Sequence, residues 1–404
     1  MLAGWQSKNV VSRYKCSVLG RLPGWGKAAR PEGAADDRCR QVKTVSLVTR
    51  AVRRVGPVCF AMVMATGIVS AALRQAGLRD LAGALLAIAA ACFVILAAAS
   101  CWRAALFPAD LPAGLSRPDR AFTLFAFVAA CSVLGNGLAG AGYRAAAAVL
   151  AGAVLAVAAL AVWLALAWLI PARVAAWSRG RRPIAAVNGT WYLAAVGTQS
   201  LAIAAVFLQQ DGLLAARPAT AVAITAWSAG VALYLAIMGA VLARLRLAGS
   251  GPKEATAPYW VAMGAASISA FAAARILSLP STAAVPGARS VVTVLAVCLW
   301  MIATGLIPAL IAFTAARHPR PPLWPRYAPM AWVVVFPLGM YAAAGLQLGT
   351  AAGLPWMHRA GAVAVWPAAV AWVLAFTAMA ISPLRGNHHE AIQVPDPGQA
   401  GSAP

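Results

Sequence analysis

The chain is poor in charge, and above all in carboxylates. Charged residues make up 11% of its 404 residues, against about a quarter in a typical soluble domain. The ten Asp and Glu residues are outnumbered by 33 Lys and Arg, and none of the ten lies at the centre of a long apolar run. Together with a hydrophobic content of 62%, this excludes an ordinary soluble domain and predicts an integral membrane protein.

The groups that enzymes commonly use are also missing from the apolar runs. The four histidines lie between runs or near the C-terminus, and the seven cysteines contain no C-x-x-C pair. The chain has no G-x-x-x-x-G-K-[ST] phosphate-binding loop. These absences predict a protein that is not an enzyme and binds neither cofactor nor metal. They also leave a coupling proton or sodium ion without an obvious site, since such sites need ionisable groups within the span.

The net charge of +23 does not indicate a nucleic-acid partner, because the basic residues do not cluster on a folded domain. Twelve lie between Met1 and Arg54, and most others fall in short gaps between apolar runs. When Lys and Arg are counted in alternate gaps between the apolar runs, 26 of the 33 fall on the side of the membrane that holds the N-terminus. Without the first 54 residues, that side still has 14 basic residues and the other side 7. The positive-inside rule therefore predicts a multi-pass protein of the cytoplasmic membrane with both termini in the cytoplasm.

The apolar runs predict ten spans, since about 20 residues are needed to cross a bilayer. They divide the chain into a basic cytoplasmic tail (1–50), a ten-helix transmembrane domain (51–384) and a C-terminal cytoplasmic tail (385–404). The first tail lacks a signal-peptide pattern, and either contacts anionic lipid or is an upstream extension of the gene. The predicted spans are 55–74, 79–102, 120–140, 143–170, 184–208, 218–246, 258–279, 285–316, 326–349 and 359–382.

The odd-numbered spans resemble one another. Each has an aromatic residue near its start, followed by a centre rich in Gly, Ser, Thr or Pro. These leading aromatics recur at similar intervals along the chain, at Phe60, Phe125, Trp191, Trp260 and Trp332. The spacing indicates five tandem helical hairpins, with an inner ring of odd helices inside an outer ring of plainer even ones. The alternative is that small residues only let helices pack closely.

The ninth span carries Phe336-Pro337, with Gly339 two residues later. A proline inside a membrane helix frees one carbonyl, which needs a packed neighbour or a cavity. The stretch therefore predicts either a bent helix at a cavity or a packing kink with a core phenylalanine. We predict that the inner helices line a pore through their small and hydroxylated centres, at Thr66, Gly67, Ser132, Thr198, Ser200, Gly264, Ser267, Ser269 and Gly339.

A pore without acidic residues favours an anion or a neutral solute, because rings of carboxylates select cations. Arg275, near the outer end of its span, either snorkels to the interface or attracts anions. The leading hypothesis is therefore a pathway for small anions, inorganic or C4-dicarboxylate. The alternatives are a proton-coupled carrier, a membrane-embedded enzyme and a non-conducting scaffold.

The odd spans resemble those of the tellurite-resistance/dicarboxylate transporter family, which includes the slow anion channels of plants. The resemblance lies in four segments, and it covers the chain from about Arg54 to Leu384. The segments are Phe60-Ala-Met-Val-Met-Ala-Thr-Gly-Ile68, Gly189-Thr-Trp191 with Gln199-Ser200, Tyr259-Trp-Val-Ala-Met-Gly-Ala-Ala-Ser-Ile-Ser269 and Val335-Phe-Pro-Leu-Gly-Met-Tyr341.

The resemblance implies an all-α fold in which five hairpins form a pseudo-five-fold ring around a central pore. It also implies a homotrimer and a pore closed by a phenylalanine of the ninth helix, a role that falls on Phe336 beside Pro337. The expected partners are a small anionic solute and membrane lipid. The motifs do not choose among chloride, nitrate, sulfite, tellurite and malate.

Overall fold

Ten long helices dominate the part of the chain that the structure describes, and each is long and apolar enough to cross a membrane. The structure, a computed structural model, describes residues 55–108, 118–141, 146–179, 184, 187–248, 256–280, 288–317 and 328–382, so both predicted tails lie outside it. The helices are α1 (Phe60–Gln75), α2 (Arg79–Leu106), α3 (Phe125–Gly140), α4 (Ala146–Ser178), α5 (Tyr192–Gln210), α6 (Ala216–Ala248), α7 (Trp260–Leu277), α8 (Ala288–Arg317), α9 (Trp332–Ala351) and α10 (Pro355–Ile381).

Several predicted boundaries were wrong by four residues or more, and two of these lie at prolines. Helix α4 continues through Pro171 to Ser178, although the sequence predicted an end near residue 170. Helix α10 begins at Pro355, four residues before its predicted start. Proline suits the first turn of a helix because the amide hydrogen it lacks has no intrahelical partner there.

A short 3₁₀ turn leads directly into each odd helix. Because each odd helix begins directly after such a turn, its first residue is a common reference point from which positions in the five repeats can be counted. It also corrects the repeat alignment by one residue, since Trp191 belongs to a turn and α5 begins at Tyr192. The five turns are Pro57–Cys59, Phe122–Leu124, Gly189–Trp191, Ala257–Tyr259 and Pro329–Ala331.

The odd helices form a closed inner ring. Helix α1 contacts α3, α3 contacts α5, α5 contacts α7, α7 contacts α9, and α9 returns to α1; the five turns contact one another in the same cyclic order. In their most apolar stretches, 67% to 94% of odd-helix residues are buried, against 22% to 28% in the even helices. The predicted inner and outer rings are therefore confirmed.

Each even helix lies in the groove between its own odd helix and the next one. In α4, α6, α8 and α10 a tryptophan indole donates a hydrogen bond across this groove to the following odd helix. Trp372 of α10 donates to the Thr66 hydroxyl of α1 at 2.9 Å, so the last hairpin is joined to the first. The other three bonds are Trp163 to Thr198, Trp227 to the Ser269 carbonyl and Trp300 to the Tyr341 carbonyl.

We expect Trp372→Phe to lower the free energy of unfolding by about 1 kcal/mol, the usual net value of one hydrogen bond, because the indole N–H that reaches Thr66 is lost. The measurement is thermal unfolding of the purified protein in detergent. Trp366→Phe is the matched control, since Trp366 lies on the same helix but is 62% exposed. Equal melting temperatures for the two variants would contradict a role of Trp372 in closing the ring.

Candidate functional site

Helix α9 is continuous through Pro337 and does not break there. Pro337 cannot donate to the carbonyl of Val333, yet the helix continues on both sides because only one bond is lost. The proline ring instead packs against α7: a Cβ at Gly264 would lie 3.0 Å from Pro337 Cγ and 3.2 Å from Phe336 Cε1. Pro337 and the edge of Phe336 thus contact the same glycine.

Three contacts fix the direction in which Phe336 points. Gly339 faces α1, since a Cβ there would lie 2.9 Å from Ile68 Cγ2, whereas Pro337 faces α7. The opposite side of α9 meets the outer ring, where the Tyr341 carbonyl accepts from Trp300 of α8. With 3.6 residues per turn, Phe336 falls between the faces that meet α1 and α7. Its side chain therefore faces the axis of the ring, where it is 1% exposed.

The common reference point of the repeats identifies the residues at the same level as Phe336. Phe336 lies four residues after the first residue of its helix, and the same offset in the other inner helices gives one residue each. All are buried, and Phe336 is the bulkiest of them. We call this set the Phe336 layer: Met64, Ala129, Val196, Gly264 and Phe336.

One helical turn further along, a second set of residues occupies the same face, and we call it the Met340 layer. At an offset of eight residues it consists mainly of large apolar side chains, and all are nearly or fully buried. Equal offsets thus assign two consecutive layers of mainly apolar side chains to the helix face that carries Phe336, with a single hydroxyl, that of Ser200, among them. The layer comprises Ile68, Val133, Ser200, Ile268 and Met340.

The nine residues predicted to line a pore are all buried, but they occupy different faces of their helices. The hydroxyls of Thr66 and Thr198 point to the outer ring, where each accepts from an indole. Gly67 packs against Val133 of α3, with a separation of 2.5 Å for an added Cβ, and Gly339 faces α1 as described above. For these four residues the contacts favour a role in packing.

The remaining predicted residues divide between seams and the axis. The Ser132 hydroxyl donates to the Ser200 carbonyl across the α3–α5 seam, and those of Ser200, Ser267 and Ser269 donate within their own helices. Gly264 and Ser200 have axis-facing offsets. The pore-lining role of all nine stays a prediction. Sequence reasoning missed Met64 and the apolar residues at equal offsets, although the distance of Phe336 from its leading aromatic was the signal that could have found them.

A family model described as voltage-dependent anion channel (SLAC1) matches residues 54–380. The chain belongs to this family. The matched residues contain all ten helices except the last residue of α10, so the match covers the complete double ring. Proteins of the voltage-dependent anion channel family carry anions across membranes and are transport proteins, not enzymes. The resemblance based on the odd helices is thereby confirmed.

Two relatives of this chain come from Mycobacterium tuberculosis, strains CDC 1551/Oshkosh and H37Rv, and both bear the name "uncharacterized membrane protein". Each is 36% identical over 173 residues, which is 42% of this chain and 83% of the relative. Their names support the assignment to a membrane and say nothing of a substrate.

The contact between Gly264 and Phe336 can be tested by a double-mutant cycle. We expect Gly264→Val to destabilise the protein by about 1–3 kcal/mol, the usual cost of overpacking, because the new side chain collides with the Phe336 ring and Pro337. Adding Phe336→Ala should recover part of that loss, since contacting residues couple. Thermal unfolding of the four proteins measures the coupling. Gly305→Val is the control, because a Cβ there meets nothing within 4 Å; additive effects at Gly264 and Phe336 would contradict the contact.

Proposed function

We propose that this chain is a gated, passive pathway for small anions, inorganic oxyanions, halides or C4-dicarboxylates, with Phe336 as the gate. The observation that carries the proposal is the position of the Phe336 ring, which extends from α9 over Gly264 of α7 at the axis of the inner ring. The class of solute, an anion, is inferred from the family to which the chain belongs. The two apolar layers suit a gate because an ion crosses a dry constriction only by shedding water.

Pro337 and Gly264 have supporting roles in this proposal. The proline packs on Gly264 and so holds the α9 backbone against α7 at the level of the gate. Glycine at position 264 leaves room for the aromatic ring beside it. Removal of either feature would change the position of the ring without removing the ring itself.

Passive conduction is favoured over proton-coupled transport because the described parts of the ten spans contain no His, Asp or Glu at mid-helix. A weak-acid substrate could still carry a proton itself. Anion flux into proteoliposomes with and without a pH gradient separates the two, and flux that follows the gradient would overturn passive conduction.

The same flux measurement should compare several anions: chloride, nitrate, tellurite, sulfite and C4-dicarboxylates. The absence of any flux would indicate a scaffold.

We further propose the cytoplasmic membrane as the location, with both termini and the five 3₁₀ turns on the cytoplasmic side. The excess of Lys and Arg at that side supports the orientation. A homotrimer, as the resemblance implies, would cover part of the apolar outer ring, which exposes Val157 and Val363 among others. Mass measurement of the purified complex in detergent tests the trimer.

The gate is tested at Phe336 itself. We expect Phe336→Ala to raise anion conductance several-fold and Phe336→Leu to change it little, because leucine keeps most of the bulk. Conductance in planar bilayers and thermal stability should be measured on the same preparations. The Met340 layer limits the gain, since Ile68, Ile268 and Met340 still occupy the axis one turn away.

Phe93→Ala is the matched control for this test. Phe93 lies on the outer helix α2, where it packs against Phe60 and Phe127, so its truncation should cost stability without opening a path. If Phe336→Ala is destabilised in the same way as Phe93→Ala and conducts no better than the original protein, Phe336 is an ordinary packing residue and the gate is elsewhere.

A further inference from the structure

The C-terminal ends of the inner helices place polar side chains on the same face as the Phe336 layer. Counted from the first residue of their helices, Gln75, Arg275 and Gln347 share an offset of 15, and Asn136 has an offset of 11. Offsets of 4, 8, 11 and 15 fall on one face of an α-helix. The offsets therefore place these four side chains on the helix face that bears the Phe336 and Met340 layers, near the end of the ring at which the odd helices finish. Helix α5 differs, because Phe207 at offset 15 packs against Gly135 of α3.

Solvent exposure changes at this level. The residues of the Met340 layer are between 0% and 7% exposed, but Asn136, Gln75, Arg275 and Gln347 are all partly exposed. The axis is therefore dry at the two apolar layers and open to solvent at the polar side chains. An anion arriving from this side meets the polar residues before it meets the Met340 layer.

Three of these side chains, and the neighbouring Arg74, each have a hydrogen-bonding atom that is buried and lacks a partner in the described part of the chain. The atoms are Arg275 Nε, Asn136 Oδ1, Gln75 Oε1 and Arg74 Nη2. A buried polar atom without a partner costs about 1–3 kcal/mol, and more when the group is charged. Buried polar atoms of this kind are normally satisfied by a ligand or ordered water, and four of them lie at the same ends of α1, α3 and α7.

Arg275 does not behave as a snorkelling side chain. Its Nη2 donates to Gln210 Oε1 of α5 at 2.6 Å, while its Nε is buried and has no partner among the described residues. A snorkelling arginine would place its whole guanidinium in water. This guanidinium is instead held against α5 by one N–H group, and its other N–H groups can still donate.

We propose that Arg74, Gln75, Asn136, Arg275 and Gln347 form a binding site for one small monovalent anion at the outer mouth of the ring. The two guanidinium groups supply the charge. The amides supply N–H donors, since rotation about the last side-chain bond exchanges the oxygen and nitrogen of Asn and Gln. The role of this site in transport rests on the proposed function, because it would bind the anion before the anion reaches the gate.

The charges at this site favour a monovalent anion over a dicarboxylate. Asp211, next to Gln210, lies within electrostatic range of Arg275. The guanidinium groups of Arg74 and Arg275 and the carboxylate of Asp211 sum to a net charge of +1. One nitrate or halide ion balances that charge, whereas a C4-dicarboxylate would exceed it. The other charged groups at this end, Arg79 and Asp80 on α2 among them, are exposed and screened by salt.

The experiment measures nitrate binding to the purified full chain through its melting temperature, at constant ionic strength with gluconate as the replacement anion. We expect nitrate to stabilise the original protein, and succinate at equal concentration to stabilise it less. Arg275→Gln should raise the half-saturating nitrate concentration at least fivefold, because a charged donor is lost. Arg359→Gln is the matched control, since it removes the same charge from an exposed position at the same end.

Equal nitrate dependence of Arg275→Gln and Arg359→Gln overturns the site, as does the absence of any nitrate effect on the original protein. If Arg275→Gln fails to fold, Gln347→Glu serves instead: it preserves shape, places a carboxylate in the ring and should abolish the nitrate effect, whereas Gln347→Met should only weaken it. Unaltered nitrate binding in Gln347→Glu also overturns the site.

Conductance of the same proteins separates the two proposals. Nitrate binding that depends on Arg275 in a protein without anion flux supports the site and contradicts the proposed function. Anion flux with equal nitrate dependence in all variants supports the proposed function and contradicts the site.

Discussion

The inner ring depends on close contact between a glycine and a neighbouring element at each of its seams. At four seams a side chain of one helix packs directly on a glycine of its neighbour: Val133 on Gly67 (α1–α3), Phe125 on Gly197 (α3–α5), Phe336 on Gly264 (α7–α9) and Ile68 on Gly339 (α9–α1). Beside the α5–α7 seam, Gly189 contacts the backbone of Pro258. Lipid tails are as apolar as the helices, so van der Waals packing and interhelical hydrogen bonds must hold the ring together. A Cβ at Gly67 or Gly197 would force the helices apart.

The distribution of charge follows from the same ring. Its dry centre consists of apolar side chains, because an unpaired charge there would be costly. The arginines Arg74 and Arg275 are placed at the ends of inner helices, where the axis meets solvent. On the proposed pathway an anion passes from polar side chains to a short apolar segment, whose length is set by the Phe336 and Met340 layers.

Much of this architecture was predictable from the sequence. Leading aromatics such as Phe60 and Trp332, with the small-residue centres behind them, indicated five hairpins and which helices lie inside. The orientation of individual side chains was not predictable. An inner helix is buried on all sides and so has no polar face to give its rotation, which is why Thr66 and Thr198 were expected at the pore but contact the outer ring. Phe336 was found because its neighbours Pro337 and Gly339 are unusual, whereas Met64 and Val196 have no such neighbours.

The hydrogen bond between Trp372 and Thr66 joins residues 306 positions apart in the chain, which has a consequence for biosynthesis. Helix α1 is made before α10, so the groove beside α1 is filled only once α10 has been inserted. Throughout synthesis the first hairpin must remain in the bilayer with one flank and a threonine hydroxyl uncovered. A chain released before α10 forms an open arc whose first and last helices both expose a surface made for packing. Closure of the ring therefore has to wait for the last of the ten helices, however early the other hairpins pack together.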